Sequence, residues 1–255
     1  MVTNRGNGSL YTSIENRIAT IEFGHPASNS FPLELLDRLE KEFHRLSDDD
    51  NVSVIILESE GEKAFCAGAS FDELVEIQDE EQGKKFFSGF ANVINAMRTC
   101  SKIIVGRVQG KTVGGGVGLA AACDYVLATE AASIKLSEFT IGIGPFVIAP
   151  AVERKIGVAG LAELALAPHE WQNAYWAKEK GLFAKVLSLI KDLDRELEIF
   201  TEKLASYNPE ALKEMKKVLW ENTSNWGILL KERAAVSGKL VLSNNTKNAL
   251  AKFRS

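Results

Sequence analysis

The sequence predicts an α/β fold, with strands and helices alternating over residues 1–190 and a helical C-terminal region over residues 191–255. Short apolar runs with strand periodicity recur ahead of helical patterns. Two glycine-bearing turns, Phe65-Cys66-Ala67-Gly68-Ala69 and Val113-Gly114-Gly115-Gly116-Val117-Gly118, each follow a strand-like segment and lead into a helix. From Phe146 onward the apolar spacing is almost wholly helical.

The elements follow in order. Leu10–Glu15 and Ile18–Phe23 alternate apolar and polar residues around Asn16-Arg17, which predicts a β-hairpin. Pro32 opens a helix whose Leu35, Leu36, Leu39, Phe43 and Leu46 make one apolar stripe. Asp48-Asp49-Asp50-Asn51 ends it as a solvated turn, since no glycine and distal glutamate follow at calcium-loop spacing. Val52–Leu57 reads as a buried strand, Phe71–Met97 as helix broken near Gln78-Asp79, and Ile103–Val105 as the next strand. A small-residue helix, Gly116–Ala122, precedes short strands at Tyr125–Ala128 and Ser133–Lys135. A strand-like Phe183–Val186 interrupts the later helices, which are placed at Asp192–Ala205, Pro209–Glu221, Trp226–Leu242 and Thr246–Phe253. Neither an internal repeat nor a low-complexity linker stands out.

Composition excludes several classes of function. A net charge of −4 argues against a nucleic-acid-binding domain, which would be basic. There is no run of ~20 apolar residues to span a membrane, and Met1–Gly8 is too polar for a signal peptide. Cys66, Cys100 and Cys123 cannot all pair and show no zinc spacing, so no metal site is expected. Reduced thiols in a cytoplasmic protein are the simplest reading, with Cys100 and Cys123 as buried small hydrophobes.

The glycine turns carry the chemistry. Backbone N–H groups there are open to a ligand, and small side chains let it approach. Two such groups converging on one oxygen stabilise negative charge developing on it, and losing one costs about 3 kcal/mol. Gly115 also opens a helix, whose positive end favours an anion.

On these residues the sequence resembles the crotonase superfamily, the enoyl-CoA hydratase/isomerase family. The matching pieces are Lys63–Ala69, Val108-Gln109-Gly110 with Gly114-Gly115-Gly116, Ala121–Tyr125, Leu136-Ser137-Glu138 and Ile141-Gly142-Ile143. Ala177–Leu182 and the Asn208-Pro209 helix start add to them, so the resemblance runs from Thr12 to Phe253. It implies a crotonase-like ββα spiral with a C-terminal helical trimerisation region, a homotrimer or hexamer, and an acyl-CoA thioester substrate. No cofactor beyond the coenzyme A moiety of the substrate is implied. By position it implies that the N–H groups of Ala67 and Gly115 hold the thioester oxygen, and that Ala67, Gly68, Ala69, Ser70, Gly114 and Gly115 contact substrate.

Hydratases of the family usually carry two glutamates, one on the small-residue helix and one in the loop that here reads Leu136-Ser137-Glu138. Here the first position is Gly118, and Glu138 remains. One carboxylate beside an oxyanion hole suits relocation of a proton through a dienolate, as in Δ3-Δ2-enoyl-CoA isomerases. Apolar neighbours (Phe139, Ile141, Phe146) would raise its pKa. The aspartate that dienoyl-CoA isomerases add is Phe146 here. Two alternatives stay open: an enoyl-CoA hydratase, including the methylglutaconyl-CoA type, aided by Asp72 or Glu73, and a non-catalytic CoA-thioester binding protein. Ser70 also reads as a helix cap, and Asp124 as a structural acid. His25, His44 and His169 lack a triad context. Lys213, Lys216, Lys217, Lys247, Lys252 and Arg254 read as a solvated basic face, one member of which could meet a CoA phosphate. Trp171, Trp176, Trp220 and Trp226 read as helical packing residues.

Overall fold

The computed structural model describes residues 5–252; Met1–Asn4, Phe253 and Arg254, named above, lie outside the described residues. Strands β1 (Ser9–Glu15) and β2 (Ile18–Gly24) form the predicted hairpin. Asn16 and Arg17 turn it with positive φ at both positions (49° and 69°), the geometry that matches the strand twist. Helix α1 (Leu33–Ser47) buries the predicted stripe of Leu35, Leu36, Leu39, Phe43 and Leu46.

Three strand pairs then wind in succession. β3 (Val54–Ser59) is followed by β4 (Ala64–Cys66) and helices α2 (Phe71–Val75) and α3 (Glu80–Thr99). Next come β5 (Ile103–Val108), β6 (Lys111–Val113) and α4 (Gly115–Ala122). The third pair is β7 (Tyr125–Thr129) and β8 (Ser133–Lys135), leading into a 3-10 turn over Glu138–Ile141. In each pair the first strand joins one sheet and the second joins another.

Helix α5 (Ala149–Leu166), strand β9 (Gln172–Asn173), helix α6 (Ala174–Glu179) and strand β10 (Lys185–Leu187) complete the two sheets. The larger sheet has the order β1-β2-β3-β5-β7-β10, and the smaller one β4-β6-β8-β9. All neighbours are parallel except the β1–β2 and β8–β9 pairs. Parallel strands covered on both faces are apolar throughout, as Val54–Leu57 and Ile103–Val105 are. This is the spiral implied by the resemblance, a repeat of structure without a visible repeat of sequence.

Helices α7 (Ile190–Ala205), α8 (Pro209–Leu219), α9 (Trp226–Leu240) and α10 (Asn244–Ala251) make up the C-terminal region. Helices α3 and α9 pack so closely that a Cβ on Gly83 would lie 2.8 Å from Gly238 Cα. No described helix is long and apolar enough to cross a membrane.

The structure corrects two expectations, one that Lys216 lies on a solvated face and one that Trp171 packs from a helix. Lys216 is buried, at 3% side-chain exposure, with its ammonium 2.7 Å from Asp124 Oδ2. Asp124 Oδ2 also accepts from Ile104 N, and Oδ1 accepts from Trp220 Nε1 at 2.7 Å, so the acid ties α8 to the strand core. Trp171 is not helical: it precedes β9 and is exposed.

Candidate active site

The three pieces of the site follow the second strand of each pair. After β4 come Ala67, Gly68 and Ala69; after β6, Gly114 and Gly115; after β8, Glu138. Because β4, β6 and β8 are adjacent and parallel, their ends meet. There they line a cavity of about 480 Å³. The opposite wall is Phe71, Leu74, Phe86, Phe87 and Phe90 from α2 and α3, so most of the lining is apolar.

The first turn is held from both sides. Buried Gln109 and Asn29 each donate to the Ala64 carbonyl, at 3.1 and 2.9 Å. Phe31 N donates to Gly68 O, and Ser70 N donates to Phe31 O, both at 2.8 Å. Ala67 N donates to Ser28 O at 3.1 Å. This corrects the donor implied by resemblance: the Ala67 N–H already has a partner, whereas the Ala69 N–H has none among the described residues. Gly68 takes φ +90°, a value that strains any side chain, and this turns Ala69 away from the strand path.

The second turn needs its glycines for space and for conformation. Gly114 takes φ +52°, and a Cβ on it would lie 3.0 Å from Glu138 Oε1. A Cβ on Gly115 would lie 2.9 Å from the Phe90 ring at Cε2. Gly114 N donates to Lys135 O at 2.9 Å, while the Gly115 N–H has no partner among the described residues. An ideal Cβ on Gly68 would be 3.3 Å from Gly115 N, so the two turns abut.

Glu138 enters from the 3-10 turn. Its carbonyl accepts from Ile143 N at 3.2 Å, and Gly142 closes the turn in the left-handed region, φ 80°. Its Oε2 is buried with no hydrogen-bond partner. Part of the residue reaches solvent, but burial of the carboxyl raises its pKa from 4.5 to about 7. Ile141 and Phe146 line the cavity as expected; Phe139 is exposed and does not.

Glu138 is the one carboxylate among the cavity-lining residues. The Gly118 position is occupied from the other side, since a Cβ there would lie 2.7 Å from Ile148 Cβ. Glu73, offered as a substitute acid, accepts instead from Leu33 N at 2.8 Å through its Oε2, and Asp72 is exposed outside the cavity. Ser70, expected to contact substrate, does not line the cavity either. Its Oγ accepts from Glu73 N and caps α2.

Of the lining residues that the sequence reading did not place at the site, two carry basic side chains. His169 lies in the loop after α5, and Lys135 at the end of β8. His25 serves its own loop, its Nδ1 accepting from Ala27 N. Cys66 is buried, with its thiol pushed up to about 12, and is inert as a nucleophile.

The enoyl-CoA hydratase/isomerase family profile matches residues 13–252. A peroxisomal Δ(3,5)-Δ(2,4)-dienoyl-CoA isomerase of Arabidopsis thaliana is 28% identical over 206 residues, 75% of this chain and 72% of that protein. A short-chain-enoyl-CoA hydratase of Clostridium acetobutylicum is 28% identical over 207 residues, 80% and 78% of the two chains. A solved enoyl-CoA hydratase from Bacillus halodurans shares the fold, with TM-score 0.88 at 19% identity over 95% of this chain and 99% of that one.

Proposed function

The chain belongs to the enoyl-CoA hydratase/isomerase family, and on that premise we propose that it moves the double bond of a 3-enoyl-CoA thioester into conjugation. The observation that carries this reading is the lone cavity carboxylate, Glu138, with an unpartnered Oε2 beside two free backbone donors. The thioester oxygen sits between the N–H groups of Ala69 and Gly115. Glu138, ionised, takes a proton from the α carbon, and the electron pair of that C–H bond spreads through the dienolate onto the oxygen. The protonated Glu138 then returns the proton to the γ carbon, which leaves the double bond between the α and β carbons. Because the donors are fixed by the fold, little reorganisation accompanies the charge. A carboxyl near pKa 7 is a stronger base than an ordinary one and is still ionised to a useful degree at neutral pH.

The reaction is redox-neutral and calls for no cofactor beyond the CoA moiety of the substrate. A homotrimer or hexamer goes with this reading, supported by exposed apolar residues such as Val158, Leu166 and Ile228 on α5 and α9. Three buried, unpaired thiols suit a reducing compartment such as the cytoplasm.

Parallel assays of 3-enoyl-CoA and 2-enoyl-CoA test the reaction. Conjugated absorbance should grow from the first and persist with the second. Rapid loss of that absorbance, with a 3-hydroxyacyl product, would establish hydration by a single glutamate instead.

A further inference from the structure

Glu138 has no hydrogen bond to hold its Oε2, so the backbone turn that carries it sets where the carboxylate lies. That turn is short. Thr140 N donates to Ser137 O at 2.9 Å, and Gly142 N to Phe139 O at 3.2 Å. None of the residues Glu138–Ile141 is fully buried, so apolar packing alone holds the turn weakly.

Outside support comes from α10. Thr246 is fully buried, and its Oγ1 lies 3.0 Å from Gly142 O and 2.9 Å from Leu240 O. One hydroxyl proton is thus shared between the Glu138 turn and the C-terminal end of α9. Ser243 Oγ accepts from Thr246 N at 3.2 Å, which caps α10 and seats Thr246 in its first turn. The contact is close enough to need a glycine, since a Cβ on Gly142 would lie 2.6 Å from Thr246 Oγ1 and 2.9 Å from its Cα. The same segment backs the cavity wall. Val241 and Leu250 share an apolar cluster with Leu74, Phe86 and Ile143, and the last three line the cavity.

We propose that Thr246 is a positioning residue for the proton transfer, its hydroxyl holding, through the Gly142 carbonyl, the turn that aims Glu138 at the substrate. This rests on the reading of Glu138 as the base. One such hydrogen bond adds modestly to stability, whereas a displacement of about 1 Å at a reacting group costs about 100-fold in rate. The effect therefore falls on kcat more than on KM. A merely structural hydroxyl gives the opposite pattern, lost stability with an intact rate.

Steady-state isomerisation of 3-hexenoyl-CoA tests this. Thr246→Val, which keeps the shape and removes the hydroxyl, should lower kcat about 10- to 100-fold with KM within about two-fold. Thr246→Ser, which keeps the hydroxyl, should recover most of that loss. In a Glu138→Gln background Thr246→Val should lower the residual rate by less than about two-fold, because no base is left to aim. Gly142→Ala pushes the turn off the same hydroxyl; it should reproduce the Thr246→Val result, and it serves in its place if that variant does not fold. Native kcat in Thr246→Val, equal losses in the valine and serine variants, or an undiminished loss in the Glu138→Gln background would each overturn the inference while leaving the base reading intact. No isomerisation by the native protein, or full kcat in Glu138→Gln alone, would overturn that reading and the inference with it.

Discussion

Replacing Glu138 with glutamine removes the charge of the proposed base and keeps its shape. In the folded protein the carboxyl titrates at about 7, against an ordinary value of 4.5, because burial disfavours its charged form. Between those two values the folded state holds a proton that the unfolded chain has lost. Stability from this group is therefore highest below 4.5, falls as pH rises toward 7 and is level beyond it. At about 1.4 kcal/mol per pH unit the fall amounts to roughly 3 kcal/mol, an upper bound because part of the residue reaches solvent. Glutamine does not titrate, so its stability curve lacks this slope. Its buried amide adds a constant cost of about 1–3 kcal/mol where a donor stays unpaired, and that offset does not vary with pH. Urea unfolding of both proteins at several values from about pH 5 to pH 8 reads the difference in slope. Glu138→Gln should gain up to about 3 kcal/mol on the native protein across that range. In the same buffers native kcat/KM should rise with an inflection near 7, and the variant should lose about 100-fold or more. Parallel stability curves, with native activity inflecting near 4.5, would refute the assignment of a buried, uncompensated base.

Two further substitutions probe the frame around the site. Gly118→Glu puts a Cβ 2.7 Å from Ile148 Cβ, an atom fixed to the backbone, and should cost about 1–3 kcal/mol by overpacking. Adding Ile148→Ala should recover part of that loss in thermal denaturation, and a second carboxylate in this background should first reveal hydratase turnover. Lys216→Met leaves Asp124 buried with the Ile104 N–H and the Trp220 indole but without its cation. It should cost about 3 kcal/mol in urea unfolding while leaving CoA affinity unchanged, because the lysine faces the core.

The legible parts of the molecule were those set by local rules. Positive φ at the hairpin, the α1 stripe and the break at Asp79, which caps α3, depend on neighbours in sequence. The glycine turns were legible for the same reason, since a left-handed backbone and an open helix start leave a residue-level mark. What stayed hidden depends on distant partners. Which N–H of the first turn is free is decided by Ser28, far upstream, which takes the Ala67 N–H and leaves that of Ala69 without a partner among the described residues. Lys216 reads as one more lysine on an amphipathic helix until Asp124, 92 residues earlier, is placed beside it. The two-residue strand β9 is too short to show a period, so neither the exposure of Trp171 nor its place opposite Lys135 could be read.

The same logic explains why a mostly apolar cavity holds its few polar groups in register. Each strand of the small sheet is only three residues long in β4, β6 and β8, and each ends in a turn whose backbone is held by the neighbouring segment. Gly114 N bonds to the carbonyl of Lys135, so the turn after β6 is fixed to the strand that delivers Glu138. At its other end the Glu138 turn is held by α10, where Thr246 Oγ1 donates to Gly142 O at 3.0 Å. Glu138 is thus held by hydrogen bonds at both ends of its segment, while its own carboxylate oxygen Oε2 is left without a partner. Satisfying that oxygen would lower its pKa and weaken it as a base. The fold therefore places its hydrogen bonds in the backbone around Glu138 rather than on its Oε2, and a Thr246 or Gly142 substitution would act on the position of the proposed base before it acted on its charge.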